Sequence, residues 1–191
     1  AGLSENTLVI FTSDNGGLKG HATDNSPLRS GKGYPYEGGI RVPLIVRWPG
    51  KIEPGSVCDV PVTSVDFFPT IARVASASLP DSREIDGESL LPLLTQRGSL
   101  ERDAIFWHFP HYRGEVVPYS IIRKGDWKLI KRYEGKTYEL FNLMEDIGEK
   151  EDLAEKSPAK VKELDARLEV WLKHTGAKLP IHKAGPPHPR R

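Results

Sequence analysis

The sequence has very little sulfur, with one cysteine and one methionine among 191 residues. A single cysteine excludes a disulfide within the chain and says little about the redox compartment. No apolar run approaches the roughly 20 residues of a membrane span, so none is predicted. Net charge is also nearly absent, since 27 Lys and Arg face 26 Asp and Glu. This balance argues against a nucleic-acid or anionic-membrane partner.

Several common catalytic motifs are missing as well. The sequence contains no CxxC pair, no GxSxG elbow, no GxGxxG loop and no internal repeat. Cys58, set between Val57 and Asp59, is predicted to be a small buried apolar position rather than a nucleophile. The chain starts without an initiator methionine or a signal-peptide pattern and soon enters an apolar strand. We therefore expect a fragment that joins its fold midway.

The composition that is present is that of a soluble globular protein, with 38% hydrophobic and 28% charged residues. Residues 7–12 are β-branched and apolar without a break, which is typical of a strand buried on both faces of a parallel sheet. Asp14 and Asn15 follow directly, and ligands of open α/β sheets bind at the carboxyl ends of strands. A carboxylate beside an amide oxygen suits Ca²⁺, although Ca²⁺ takes roughly 6 to 8 ligands. Water or another part of the molecule would have to supply the rest.

An ordinary turn is the alternative for this segment. Asx side chains hydrogen-bond their own backbone, and Gly16 and Gly17 would supply positive φ. Residues 20–39 form a long polar loop of a length that is uncommon unless functional or disordered. Within it, Lys32 lies between two glycines and could offer a compact positive charge to an anion. The alternative for Lys32 is an ordinary solvated lysine.

The later part of the chain changes its pattern. A second sheet strand is predicted at 40–48, and a helix opens at Ser64 or Asp66 with an apolar face of Phe68, Ile71, Ala72 and Ala75. Strands at 104–109, 119–123, 127–133 and 137–141 form an antiparallel meander. A helix from 157–158 to Gly176 is predicted to cover one face of it. The domain prediction is 1–98, 99–178 and a loosely ordered tail at 179–191.

Seven blocks, in this order, resemble the second half of the type I sulfatases, members of the alkaline phosphatase superfamily. They are TSDNGG at 12–17, NSPLRSGKG at 25–33, YEGGIRVP at 36–43, VDFFPT at 65–70, DGESL at 86–90, RKGDWKL at 123–129 and ELFNL at 139–143. The resemblance covers nearly all of the chain up to the last helix. It favours a metal site over a plain turn at Asp14 and Asn15.

The resemblance implies an α/β fold: the C-terminal part of an alkaline-phosphatase-like parallel-sheet domain, then a small α+β domain. In that family the Asp-Asn pair binds Ca²⁺, which transfers to Asp14 and Asn15, with Mg²⁺ as the alternative ion. The lysine of the Gly-Lys-Gly loop contacts the sulfate, which transfers to Lys32. The cation and the ammonium would hold the sulfate oxygens and offset charge as the S–O bond breaks. The implied function is hydrolysis of sulfate esters, with a sulfated carbohydrate as the expected substrate class.

The resemblance also implies what lies elsewhere. The family's nucleophile is a formylglycine made from a cysteine in a Cys-x-Pro-x-Arg motif of the N-terminal half, and Cys58 lacks that setting. We therefore expect this chain alone to be inactive and its partner to be the N-terminal half of the same protein. A secreted or periplasmic location is a habit of the family and not a property of these residues. Two departures are small: Ser30 replaces a frequent glycine, and Ile147 replaces a frequent proline.

Substrate contacts and competing functions are less defined. His108 and His111 flank Phe109-Pro110, and on residue type alone each is expected to be structural or merely exposed. In polysaccharide-acting relatives the C-terminal domain helps to form the substrate cleft, so either histidine could line it. A phosphoester or phosphonate hydrolase of the same superfamily is the alternative enzyme. A non-catalytic sugar- or Ca²⁺-binding module is the alternative from another class.

Overall fold

The structure is a computed structural model that describes residues 2–18, 20, 23–80 and 82–181. Its helices and strands in chain order are β1 (Val9–Thr12), α1 (Glu37–Ile40), β2 (Leu44–Arg47), α2 (Phe67–Val74), α3 (Leu91–Leu94), β3 (Ile105–Phe109), β4 (Tyr119–Lys124), β5 (Trp127–Arg132), β6 (Tyr138–Asn142) and α4 (Pro158–His174). Short 3₁₀ turns cover Ser4–Asn6 and Ser64–Asp66. Most of the tail predicted at 179–191 lies outside the described residues.

The chain divides into two compact units. The first unit combines Ala1–Ser13 with Pro43–Ile105, and the second combines Asp14–Val42 with Phe106–Arg191. No described helix is long and apolar enough to cross a membrane. The domain boundary at 98/99 stays a prediction.

In the first unit, β1 and β2 form an antiparallel pair, with Phe11 opposite Ile45. The prediction that residues 7–12 form a strand buried on both faces of a parallel sheet is wrong for the described chain. Phe11 is 61% exposed and Ile45 is 62% exposed. An apolar, β-branched run shows only that its residues are suited to burial. Whether they are buried depends on other elements packing over them, and no described element covers Phe11 or Ile45.

Two further expectations in the first unit are corrected. Cys58 is exposed, because it lies in an irregular segment after β2 beside Val57, which is itself 80% exposed. The apolar face predicted for α2 is also not buried, since Phe68 and Ile71 are both more than half exposed. The helix instead buries Pro69 and Thr70.

The first unit is held together at a buried carboxylate, Asp66. This side chain accepts hydrogen bonds from the backbone N–H groups of Thr63 (2.8 Å) and Glu88 (3.0 Å). The guanidinium of Arg102 adds a bond to each carboxylate oxygen, one of them at 2.6 Å. Asp66 is fully buried, so these donors replace the water that the charge would otherwise need.

The second unit contains an antiparallel sheet in the order β3-β4-β5-β6. The predicted meander is confirmed by this order and by the antiparallel pairing of β4 with β5 and of β5 with β6. Gly125, at a φ of 56°, lies in the turn between β4 and β5. The helix α4 covers one face with Leu164, Leu168 and Leu172 buried, as predicted. The α/β fold class and its antiparallel sheet packed by a C-terminal helix are therefore confirmed.

The opposite face of this sheet is also covered, which the sequence did not predict. Tyr34, Tyr36 and Ile40 pack against a core that includes Ile121, Ile130 and Phe141. Part of the predicted loop at 20–39 is thus structured, since Glu37–Ile40 form the short helix α1. Because successive strand residues point to opposite faces, the register places Lys128 on this covered face, opposite Phe141.

Candidate functional site

Asp14 and Asn15 lie at a bend that directly follows β1 in sequence, where Asp14 is exposed and Asn15 is half-buried. The next residue, Gly16, donates its N–H to the carbonyl of Gly39 at 3.1 Å. A Cβ at Gly16 would lie 1.8 Å from the carbonyl oxygen of Gly38. Neither Gly16 nor Gly17 has positive φ, so the turn reading gives the wrong reason for these glycines. Gly16 permits close packing against the backbone of α1, whereas a Cβ at Gly17 would lie 2.7 Å from the amide oxygen of Asn25.

The loop that carries Lys32 is joined to this segment by its backbone. The N–H of Lys32 donates to the carbonyl of Gly17 at 3.0 Å. The Asn25 side chain also connects the two segments, because its amide nitrogen donates to the carbonyls of Gly17 (2.9 Å) and Ser30 (3.0 Å). Its amide oxygen accepts the N–H of Gly17 at 3.0 Å. The loop is therefore fixed, while the side chain of Lys32 is exposed and able to meet an anion.

The helix α1 packs against the same loop without room for side chains. The N–H of Gly38 donates to the carbonyl of Arg29 at 2.9 Å. A Cβ at Gly38 would lie 2.4 Å from that carbonyl oxygen, and one at Gly39 would lie 2.6 Å from the carbonyl oxygen of Gly31. Ser30 has a φ of 65°, a region in which glycine is favoured. Serine at this position therefore adopts a backbone conformation that glycine would adopt without strain.

A cluster of buried charges lies beneath α1, and sequence reasoning missed it. The ammonium of Lys128 lies 2.9 Å from Glu37 Oε1 and 2.8 Å from Glu149 Oε1. The contact with Glu149 has ion-pair distance without hydrogen-bond alignment. The guanidinium of Arg123 lies 3.8 Å from Glu37 Oε2. Burial raises the pKa of the Glu149 carboxyl, against the lowering effect of Lys128.

A second cluster fixes Arg29 at the start of the loop. The guanidinium of Arg29 lies 3.8 Å above the ring of Tyr36, a cation–π geometry. The Tyr36 hydroxyl donates to Glu139 at 2.8 Å, and Arg132 donates to both groups. Burial, and then the hydrogen bond to Glu139, raise the pKa of Tyr36. The hydroxyl therefore remains a neutral donor near neutral pH.

The two histidines differ in their surroundings. The Nδ1 atom of His108 lies 2.8 Å from the Ser120 hydroxyl, and its Nε2 atom lies 2.9 Å from the carbonyl of Lys178. Both ring nitrogens are therefore engaged, which favours a structural role for His108. His111 is exposed, with its ring edge-on to Phe109. Its role as a substrate contact stays a prediction.

The donor chemistry of Asp14 and Asn15 fits a hard cation such as Ca²⁺, but this pair cannot form a complete site. Among the described residues, no group of three or more His, Cys, Asp or Glu side chains could hold a metal ion. The roles of Asp14, Asn15 and Lys32 therefore stay predictions. What the structure brings together is their backbone: the segments 14–17, 29–33 and 37–40 are hydrogen-bonded to one another.

Solved structures share this fold. Ps i-CgsB in complex with k-i-k-neocarrahexaose matches with a TM-score of 0.77 at 31% identity, over 88% of this chain and 37% of the other. BT4656, solved with its substrate D-glucosamine-2-N,6-O-disulfate, matches with a TM-score of 0.76 at 29% identity, over 92% of this chain and 36% of the other.

A curated "Sulfatase" of Formosa agariphila is 42% identical over 187 residues, which is 90% of this chain and 34% of that protein. The fold and this similarity define the C-terminal part of a sulfatase. The sequence also matches the family model "N-sulphoglucosamine sulphohydrolase, C-terminal" over residues 31–178. The chain belongs to this family. It spans about a third of the length of these relatives.

Proposed function

We propose that this chain is the C-terminal portion of a sulfatase that hydrolyses sulfate esters, in which Lys32 binds the sulfate and Asp14 and Asn15 bind Ca²⁺. One observation carries the proposal. The N–H of Lys32 is hydrogen-bonded to the carbonyl of Gly17, two residues after the Asp-Asn pair. The loop that carries the exposed Lys32 is thus held by its backbone beside the segment 14–17, which begins with the oxygen-bearing side chains of Asp14 and Asn15.

The chemistry of these side chains suits an anionic ester. Asp14 and Asn15 would supply two oxygen ligands, and the remaining ligands of the roughly 6 to 8 that Ca²⁺ takes would come from the rest of the protein. When bound, the ion would offset negative charge that develops on the ester oxygens. The ammonium of Lys32 is a compact, strongly hydrated charge, and the fixed loop backbone would keep it aimed at the sulfate.

A sulfated carbohydrate is the proposed substrate class. Support comes from the sugar ligands of the two solved relatives, which are 31% and 29% identical to this chain. His111 and Tyr112 are exposed on the segment after β3 and would offer ring surfaces to a sugar. His108 is not part of this proposal, because both of its ring nitrogens already have partners.

The test compares variants of the full-length protein on 4-nitrophenyl sulfate and 4-nitrophenyl phosphate. We expect Lys32→Ala to lower kcat/KM for the sulfate about 10²- to 10³-fold, the size of effect seen when one charge-stabilising donor is removed. Lys51→Ala removes another exposed lysine, in the turn after β2, and is the matched control. Equal activity of the two variants would refute the role of Lys32. Preference for the phosphate would favour the alternative phosphoester hydrolase.

The metal assignment has its own test. Chelation with EGTA should abolish turnover and added Ca²⁺ should restore it, while Asp14→Ala should raise the Ca²⁺ concentration that restoration requires. The isolated chain should show no turnover and only weak binding in calorimetry, because two protein ligands are too few. Micromolar Ca²⁺ binding by the isolated chain would instead favour a self-sufficient binding module.

A further inference from the structure

The buried charges beneath α1 have no part in the function proposed above. We infer that Lys128, held between Glu37 and Glu149, is a positioning residue that fixes the loop of Lys32 and so controls how well this loop binds the sulfate. The inference rests on the proposed role of Lys32. It concerns a residue that acts through others, since Lys128 is itself fully buried.

Lys128, Glu37 and Glu149 form a buried cluster in which one ammonium lies between two carboxylates. Lys128 and Glu149 are 0% exposed and Glu37 is 2% exposed. The ammonium of Lys128 lies within 2.9 Å of a carboxylate oxygen from each glutamate. A buried charge without a partner is strongly unfavourable. The loss of Lys128 removes the cation between the two carboxylates, and Glu37 would then keep only the longer contacts of its Oε2 atom with Arg41 (3.7 Å) and Arg123 (3.8 Å).

Both glutamates connect this unit to the loop of Lys32. Glu37 is the first residue of α1, and the next residue, Gly38, donates its N–H to the carbonyl of Arg29. Glu149 acts twice: its Oε2 atom accepts the N–H of Glu37 at 2.6 Å, and its backbone carbonyl accepts a hydrogen bond from Arg29 Nη1 at 2.8 Å. Arg29 and α1 bracket the loop, so a shift of either glutamate is transmitted to Lys32.

The environment of Lys128 argues for a positional role. Its face of the sheet also carries Ile121, Ile130 and Phe141, so an apolar residue at 128 would suit the packing. Replacing a whole buried ion pair by apolar residues is often neutral or stabilising, so stability alone does not require three charged residues at this place. An apolar residue at 128 could not form a directional interaction, whereas a charge-assisted hydrogen bond fixes the orientation of the group that accepts it. Here the oriented partner is the first residue of α1.

A double-mutant cycle in the full-length protein tests the inference. The variants are Lys128→Met, Lys32→Ala and their combination, assayed by kcat/KM for 4-nitrophenyl sulfate at a temperature where all are folded. A loop misplaced by about 1 Å can lower activity about 100-fold, so we expect Lys128→Met alone to cause a loss of about 10- to 100-fold. In the Lys32→Ala background the loss should shrink by more than about twofold. Equal losses in both backgrounds, within about twofold, would show independent effects and overturn the inference.

Lys131→Met is the matched control, since Lys131 lies on the same strand but pairs with Asp165 and Glu169 of α4. It should leave kcat/KM unchanged even where it lowers the melting temperature. If Lys128→Met does not fold, Glu37→Gln replaces it in the cycle, because the amide keeps an acceptor for Lys128 and removes the charge. A smaller loss of kcat/KM in the Lys32→Ala background would then support the inference, and equal losses in both backgrounds would overturn it.

Hydrogen exchange measured by mass spectrometry separates this inference from the proposed function. We expect amides of residues 29–40 to exchange faster in Lys128→Met than in wild type, and to be unchanged in Lys131→Met. Unchanged exchange in Lys128→Met would overturn the inference whatever the activity. If the wild type hydrolyses no sulfate ester, the proposed function fails, while faster exchange would still support the positional role of Lys128.

Discussion

Replacing Gly38 by alanine should damage both the stability and the activity of the protein. The added Cβ would lie 2.4 Å from the carbonyl oxygen of Arg29 and 2.6 Å from that of Ser30. Ordinary contact begins at 3.4 Å, so α1 and the loop would have to separate by about 1 Å. Both obstacles are backbone atoms, and no side-chain rotation can relieve the contact. The hydrogen bond from Gly38 N–H to the Arg29 carbonyl would lengthen or break.

The size of the effect follows from these two changes. Inserting a methyl group into a packed region destabilises by about 1 to 3 kcal/mol, and a lost hydrogen bond adds about 1 kcal/mol. We therefore expect the free energy of unfolding to fall by about 2 to 4 kcal/mol for Gly38→Ala. A shift of about 1 Å in the loop of Lys32 should also lower kcat/KM about 100-fold, provided that the proposed role of Lys32 holds.

Urea denaturation and sulfatase assays of the full-length protein would measure both effects. Gly98→Ala is a suitable control, because its Cβ would meet only Pro92, at 3.1 Å and more, outside this loop. We expect it to change stability by less than about 1 kcal/mol, within the usual range for substitutions away from special features, and to leave kcat/KM unchanged. If Gly38→Ala behaved like Gly98→Ala in both assays, the close packing of α1 on the loop would be refuted.

Two further predictions concern charged groups. Asp66→Ala should lower the free energy of unfolding in urea by about 3 to 5 kcal/mol, because it strands the guanidinium of Arg102; a loss below about 1 kcal/mol would contradict this. Burial disfavours the charge of Lys131, but hydrogen bonds to Asp165 and Glu169 outweigh it and raise its pKa. The contribution of Lys131 to stability is therefore present below the ordinary lysine pKa of about 10.4 and is lost as the pH rises beyond it. The difference in unfolding free energy between wild type and Lys131→Met, measured in urea at several pH values, should shrink above that point; a constant difference would refute the assignment.

Local patterns predicted most of the second unit. The strand that alternates at period two from Trp127 is β5, and the helix predicted to begin near Ser157 begins at Pro158. The structure of these elements is specified by residues close to them in sequence. Hairpin turns set the register of the strands, and a stripe of apolar residues determines which face of the helix packs on the sheet. Such signals lie within a few residues of the structure that they specify, so they are visible in one sequence.

The buried charges were invisible for the opposite reason. Lys128 reads as a polar position of a strand, yet the carboxylate that receives its hydrogen bond comes from Glu37, 91 residues away. Glu149 lies in a connector that reads only as acidic. No periodic pattern in the sequence indicates that these three residues come into contact. The exposure of Phe11 could not be predicted either, because it depends on how distant segments pack. The sequence could place Lys32 between glycines, but not the helix packed against that loop.

The distance between Glu37 and Lys128 along the chain has a consequence during translation. Ribosomes add about 5 to 20 residues per second, so a separation of 91 residues means a wait of roughly 5 to 20 s before the lysine is even made. Until β5 is translated and paired, Glu37 lacks the ammonium of Lys128, and Ile40 of α1 lacks the sheet face against which it packs. The loop of Lys32 and α1 would therefore reach their final packing only after β5 has been translated, although both are made long before it.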